Sequence, residues 1–154
     1  MNAIVLVDDL VKHIQEIIKE YDLTTKVEGF NKSPSVYAGY LPPKEDNNGE
    51  LTPNDYPFVI VRFLTDDDNI DSEDMLAIRL VIGTHSEDDQ NGWRDVVNVA
   101  SRIKIGIMEK RIFGPFVLTG KIQTELFEEQ LRPFWHGIMD LNFNAPQIQS
   151  EVEW

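Results

Sequence analysis

The first regular pattern in the chain is helical. Between residues 10 and 21, apolar residues recur every three or four positions, which places them on one side of a 3.6-residue period. These positions are Leu10, Val11, Ile14, Ile17, Ile18 and Tyr21. Asp8 or Asp9, just before the stripe, is a residue type that caps helix N-termini. The pattern predicts an amphipathic helix of about three to four turns.

A second helical stripe lies in the later half of the chain. Its apolar positions are Trp93, Val96, Val97, Ala100, Ile103, Ile107 and Met108. Gly114 and Pro115 follow, and both residue types are common where a helix has ended. This pattern predicts a second amphipathic helix, which these two residues terminate.

Strand patterns fill most of the remaining sequence. Apolar or alternating runs occupy Lys26–Phe30, Val36–Leu41, Phe58–Leu64, Met75–Thr84, Phe116–Leu126 and Trp135–Asn144. The first two runs are short and flank turn-forming residues at Asn31–Pro34, which favours a hairpin. Between Pro42 and Pro57 the chain is polar and proline-rich, which predicts an exposed loop.

Strands joined by short polar loops pair antiparallel, and two amphipathic helices can cover one face of such a sheet. The predicted fold class is therefore α+β: a mainly antiparallel β-sheet packed on one face by two amphipathic helices, with an additional β-hairpin. Residues 1–148 are expected to form a single domain, followed by a short polar C-terminal tail at 149–154.

Charge narrows the range of functions. The chain has 154 residues, and 14 Lys and Arg against 27 Asp and Glu give a formal net charge of -13. This balance argues against a nucleic-acid binder and against a protein held on anionic lipid. Cysteine is absent, which excludes disulfides and thiolate chemistry. The sequence has no pattern typical of a signal peptide or a membrane-spanning helix, so a soluble protein is expected.

Enzyme signatures are missing from the sequence. No glycine-rich phosphate loop, nucleophile elbow or paired-histidine zinc motif occurs. The three histidines, His13, His85 and His136, fall on three separate predicted elements. We therefore expect no enzyme activity, no catalytic residue and no cofactor.

The most acidic segment lies between two predicted strands. Its charged residues are Asp66, Asp67, Asp68, Asp71, Glu73 and Asp74. One interpretation is a calcium site with Asp66, Asp68 and Asp71 as ligands, because carboxylates suit this cation. However, Ile70 occupies a position that needs an oxygen, and the turn glycine of a calcium loop is missing. A solvated hairpin loop is the favoured interpretation.

A second acidic stretch, with Glu87, Asp88, Asp89 and Asp95, precedes and opens the second predicted helix. Asp88 or Asp89 is placed to cap that helix. Such loops can repel DNA and other copies of the chain.

Some apolar residues suggest a surface for partners. Trp93 and Trp135 lie at the starts of predicted elements, and Val99 and Ile105 lie off the main stripe of the second helix. A helix that is apolar on more than one side is either buried twice or contacts another subunit. We therefore include these four residues, with the acidic residues at 66–74, as candidates for an interface or a lumen.

Three segments resemble the tail terminator, or tail-completion, family of long-tailed bacteriophages. The first is Tyr56–Arg62. The second runs from Leu80 to Ser86 and continues at Gly92–Val97. The third is Pro133–Leu141, with Ala145-Pro146 after it. The resemblance spans about residues 56–148, and the 65–74 loop departs from the family pattern in its length and acidity.

The resemblance implies a virion structural protein that assembles as a hexameric ring. Such a ring caps the tail tube, ends tube polymerisation and forms the surface that joins the head. The implied partners are other copies of the chain, the tail tube protein and the head–tail connector protein, with DNA passing through the lumen without specific binding and no membrane involved. The implied location is the virion tail, assembled in the host bacterial cytoplasm. The alternatives are another neck or minor tail component, such as a head–tail adaptor, and a small-ligand-binding α+β domain.

Overall fold

The computed structural model describes residues 2–19, 23–24, 31–43 and 55–145, with only the backbone described at 23–24 and 31–32. The helices in these ranges are α1 (Ala3–Ile18) and α2 (Trp93–Lys110). The strands are β1 (Leu23–Thr24), β2 (Asn31–Lys32), β3 (Ser35–Ala38), β4 (Phe58–Asp67), β5 (Asp74–His85), β6 (Ile112–Phe113), β7 (Phe116–Leu126) and β8 (Phe134–Ala145).

A six-stranded sheet organises the fold, with strand order β3-β4-β5-β8-β7-β6. Every neighbouring pair in this sheet is antiparallel except β3 and β4, which are parallel. The four long predicted strands correspond to β4, β5, β7 and β8. These features confirm the predicted α+β class with a mainly antiparallel sheet.

Both helices pack on the same face of the sheet. Alternation along β5 directs Leu76, Ile78, Leu80 and Ile82 into the core, where each is 1% exposed or less. The facing residues of β8 are Met139, Leu141 and Phe143, all fully buried. The helices contribute Leu6, Leu10, Ile14 and Ile18 from α1, and Val96, Val99, Ala100, Ile103 and Ile107 from α2. The predicted packing of two amphipathic helices on one face is therefore confirmed.

The start of α1 differs from the sequence prediction. The cap is Asn2, whose Oδ1 accepts a hydrogen bond from the Ile4 amide at 3.0 Å, and the helix begins at Ala3. Asp8 and Asp9 lie inside the helix instead of capping it. The physical reason is that buried Leu6 and Val7 extend the apolar stripe toward the N-terminus.

The second predicted short strand does not form half of the predicted hairpin. It corresponds to β3, which pairs in parallel with β4 from Ser35 beside Phe58 to Ala38 beside Val61. Residues 39–57 connect the two strands, which is long enough for the crossover that a parallel pair requires. The additional antiparallel ladder instead joins Leu23–Thr24 to Asn31–Lys32.

The end of α2 also differs from its prediction. The helix stops at Lys110, followed by Arg111 with a positive φ of 61°. The Arg111 amide donates to the Ile107 carbonyl at 2.9 Å. Gly114 and Pro115 form the turn between β6 and β7, where Gly114 has a φ of 62°. These two residues therefore form the turn of the β6–β7 hairpin and do not terminate the helix.

Several predictions fall on residues outside the described ranges. They are the strand Lys26–Phe30, positions 44–54 of the predicted exposed loop, and the C-terminal tail at 149–154. Among the described residues, no helix combines the length and the hydropathy needed to cross a membrane.

The packing of α2 gives a matched test of the fold. Ile103 is fully buried, whereas Ile105 on the same helix is 58% exposed. We expect Ile103→Ala to lower the free energy of unfolding by about 2–5 kcal/mol, because it leaves a cavity under the sheet. Ile105→Ala should change it by less than about 0.5 kcal/mol. Urea unfolding of both variants measures the difference, and equal losses would contradict this packing.

Candidate functional site

The acidic segment lies at the end of the β4–β5 hairpin, and we define residues 66–73 as the acidic tip. Every residue of the tip is exposed, including the Ile70 side chain at 97%. Hydrogen bonds within the hairpin shape the turn: the Asn69 amide donates to Asp74 Oδ1 at 2.6 Å, and the Asp71 amide donates to Asn69 Oδ1 at 3.0 Å. Asp74 itself is only 8% exposed and supports the turn from β5.

The carboxylates of the tip repel one another. Asp66 and Asp74 raise the pKa of Asp68 above its ordinary value, with the charge of Asp66 the largest cause. Within the described residues, no three His, Asp or Glu side chains are arranged to hold a metal ion. The structure therefore does not bring Asp66, Asp68 and Asp71 together as a calcium site.

The second acidic stretch forms a turn before α2. The Asp88 carboxylate accepts hydrogen bonds from the amides of Gln90 and Asn91, each at 3.0 Å. These amide hydrogen bonds, that of Asn91 first, lower the pKa of Asp88. The residue at the N-cap of α2 is Gly92, without a side-chain hydrogen bond. Asp88 therefore shapes the preceding turn and does not cap the helix, which corrects the sequence prediction.

The apolar interface candidates divide into two groups. Val99 is fully buried and Trp135 is 4% exposed, so both belong to the core and offer no surface to a partner. The stripe of α2 is wider than its sequence pattern suggested, because Val99 reaches the core beside Ile103. In contrast, Trp93 is 37% exposed and Ile105 is 58% exposed. These two side chains are available for contact.

Trp135 is a central packing residue where the β8 strand begins. Its Nε1 donates to the Ser86 carbonyl at 3.1 Å, which joins β8 to the turn before α2. Gly92 lies directly against the indole, because a Cβ at this position would come within 2.4 Å of the ring. A side chain at position 92 would therefore displace the indole.

The opposite sheet face carries a second buried group, which we call the aromatic–histidine cluster: Tyr56, Phe58, His85, Phe134 and His136. Tyr56 stacks on Phe134 with ring centroids 4.6 Å apart, and its hydroxyl lies 2.6 Å from His136 Nε2. The ring centroids of His85 and Phe134 lie 5.6 Å apart, and the buried Nδ1 of His85 has no hydrogen-bond partner within the described residues.

Sequence reasoning missed this cluster. Two of the histidines that it placed on separate elements are connected through Phe134 and Tyr56. Antiparallel register brings them to one end of the sheet, with His85 beside Phe134 and His136 beside Gly83. Burial lowers the pKa of His136 and raises that of Tyr56, so both groups are neutral at neutral pH. This buried neutral pair links the segment just before β4 to β8.

A basic groove lies on the helix side of the sheet, beside the outer edge of β7. It has a volume of about 430 Å³ and is lined by Lys104, Met108, Arg111, Leu118, Thr119, Gly120 and Ile122. None of these residues is acidic, although the whole chain carries a net charge of -13. The spacing of Lys104, Met108 and Arg111 places them on one helical face, and this sequence pattern could have predicted part of the groove.

Two larger concavities also open at the surface. One, of about 590 Å³, lies between Trp93 and the β7–β8 connection. The other, of about 550 Å³, separates the start of α1 from β3 and β4.

Comparisons with protein-family models and with curated proteins gave no match for this chain.

The repulsion within the acidic tip predicts a stabilising substitution. A raised carboxyl pKa means that ionisation of this carboxyl destabilises the folded state. The free energy of unfolding therefore increases as the pH falls. We expect Asp68→Asn to raise the Tm slightly at pH 7 and low ionic strength, with a gain that disappears in strongly acidic solution and shrinks in high salt. The measurement is thermal unfolding followed by circular dichroism.

Asp67→Asn is the matched control, because it removes the same charge but Asp67 is not among the carboxylates that raise the pKa of Asp68. Its gain should be smaller. A loss of Tm in Asp68→Asn would show that the carboxylate supports the turn.

His136 predicts a pH dependence of stability. Because burial lowers its pKa in the folded state, the unfolded chain binds a proton first as the pH falls. The free energy of unfolding should therefore decline below the ordinary histidine pKa of about 6.5. His136→Phe should cost about 1–3 kcal/mol at pH 8, because the buried Tyr56 hydroxyl loses its partner. The variant should decline less between pH 8 and pH 5 in urea titrations. Parallel pH profiles would contradict this assignment.

Proposed function

We propose that this chain is a structural protein of a bacteriophage or prophage virion: a tail terminator that assembles as a ring on the end of the tail tube. In this role it ends polymerisation of the tube and forms the head–tail joining surface. Its partners are other copies of itself, the tail tube protein and the head–tail connector protein. It is assembled in the host bacterial cytoplasm and resides in the virion tail.

One observation carries this proposal: the segments that resemble the tail terminator family pack together. Tyr56 stacks on Phe134, the Trp135 indole donates to the Ser86 carbonyl, and the Ser86 amide donates to the Pro133 carbonyl at 2.9 Å. These contacts join segments that are distant in sequence at one end of the sheet. The resemblance therefore covers one packed unit, which supports a shared architecture more strongly than isolated matches would.

Charge is consistent with a channel for DNA. The net charge of -13 per chain gives a ring of copies a strongly negative field. Such a field repels DNA phosphates, so DNA can pass without binding. In this proposal the work of the protein is differential binding between copies and to the last ring of the tube, with no catalytic step.

Another neck or minor tail protein, such as a head–tail adaptor, is the alternative within the same class. The distinguishing property is the partner, because a terminator binds the open end of the polymerised tail tube. A small-ligand-binding domain is the alternative from a different class. The concavity of about 590 Å³ beside Trp93 favours it, since its volume is within the range of ligand pockets.

Native mass spectrometry at low and high salt, followed by binding to polymerised tail tubes, tests the proposal. We expect a hexamer at one or both salt concentrations, because salt screens the repulsion between copies of net charge -13 as well as attraction between their charged surfaces, or a monomer that binds to tube ends. Binding to the connector without the tube would indicate the adaptor alternative. A chain that remains monomeric and binds neither partner would overturn the proposal.

A further inference from the structure

We infer that the acidic tip of one copy docks in the basic groove of the next copy, as the repeating contact of the ring. The existence of the ring rests on the proposed function. The inference adds the identity of the two surfaces that meet between neighbouring copies. The tip and the groove are different surfaces of the same chain. A contact between two different surfaces is heterologous, and it generates a closed ring when the rotation between copies closes.

The groove has the chemistry needed to receive an acidic, partly apolar segment. Its apolar lining comes from Met108, Leu118 and Ile122, while Lys104 and Arg111 supply positive charge. Among the described residues, no carboxylate forms an ion pair with either of these two cations.

The tip has complementary chemistry. Exposed carboxylates at Asp66, Asp67, Asp71 and Glu73 flank Ile70 in the sequence, and Ile70 is 97% exposed. An isoleucine this exposed gains free energy when a partner removes it from water. Ile70 in the apolar part of the groove would place the carboxylates beside the cations at its rim. Complementary charges of this kind favour one register and one partner.

The surroundings of the groove offer additional contact area. Ile105 and Ile112 are exposed by 58% and 57%, beside Lys104 and Arg111 respectively in sequence. A stable interface buries about 800 Å² on each partner. Ile105 and Ile112 are exposed apolar side chains that a partner could cover in addition to the groove.

Thiol cross-linking tests the contact directly, because the wild-type chain contains no cysteine. One protein carries Ile70→Cys and a second, isotope-labelled protein carries Met108→Cys. The two are mixed and treated with a short bismaleimide, and mass spectrometry separates heterodimers from homodimers. We expect heterodimers to exceed either homodimer about tenfold.

Leu131→Cys is the matched control for the groove position, because Leu131 is an apolar residue that is 71% exposed and lies outside the groove. Mixed with Ile70→Cys, it should give only background heterodimer. Heterodimer formation from Met108→Cys at the level of this control, or a predominance of tip-to-tip homodimers, would overturn the inference.

Charge reversal separates specific docking from general attraction. Lys104→Glu in the Met108→Cys protein should lower the heterodimer yield about tenfold, whereas Lys12→Glu on α1 makes the same change in net charge and should not. Asp67→Lys in the Ile70→Cys protein should restore the yield with Lys104→Glu. Equal losses in both charge variants, or no restoration, would contradict the docking.

The outcomes also separate this inference from the proposed function. If the wild-type protein forms a hexamer or binds tail tubes while cross-linking stays at background, the docking contact is wrong and the proposed function stands. If the heterodimer forms but the chain neither forms rings nor binds tubes, the docking contact stands in another assembly and the proposed function fails.

Discussion

The antiparallel pairing of β5 with β8 is the constraint on which the other features depend. Its register runs without interruption from Asp74 beside Ala145 to His85 beside Phe134. Because side chains alternate along a strand, this one register directs an unbroken apolar surface toward both helices. The same register sets the aromatic–histidine cluster on the opposite face. A slip of one residue would exchange the two faces and lose both.

The two faces of the sheet contribute differently to stability. The helix-covered face is filled with aliphatic side chains and provides most of the buried apolar area. The opposite face combines the aromatic–histidine cluster with a pairing of Arg79 and Asp140, in which Arg79 Nε donates to Asp140 Oδ1 at 2.8 Å. Both of these side chains are more than a third exposed, so solvent screening limits what the pair adds to stability. Stability comes mainly from the first face.

Charge is segregated by position in the fold. Carboxylates that cannot enter the core collect in the β4–β5 connection, where the exposed hairpin end keeps them in water. Lys104 of α2 and Arg111 just after it lie at one apolar groove. A strongly acidic chain therefore carries a groove with two cations and no acidic lining residue, and this contrast underlies the inferred head-to-tail contact. The segments that resemble the tail terminator family contact one another at the end of the sheet opposite the acidic tip.

The sequence by itself determined the fold class, both helices and the long strands, because the periods of 3.6 and 2 in apolar residues reflect local geometry directly. It also determined the exposed acidic hairpin, since carboxylates at that density remain in water. Only the tertiary structure decided the parallel pairing of β3, the burial of Val99 and Trp135, and the connection of His85 to His136 through Phe134 and Tyr56. The basic groove likewise forms only when α2 lies beside β7. Each of these depends on residues distant in sequence, and a local pattern cannot specify which distant partners the packed chain brings together.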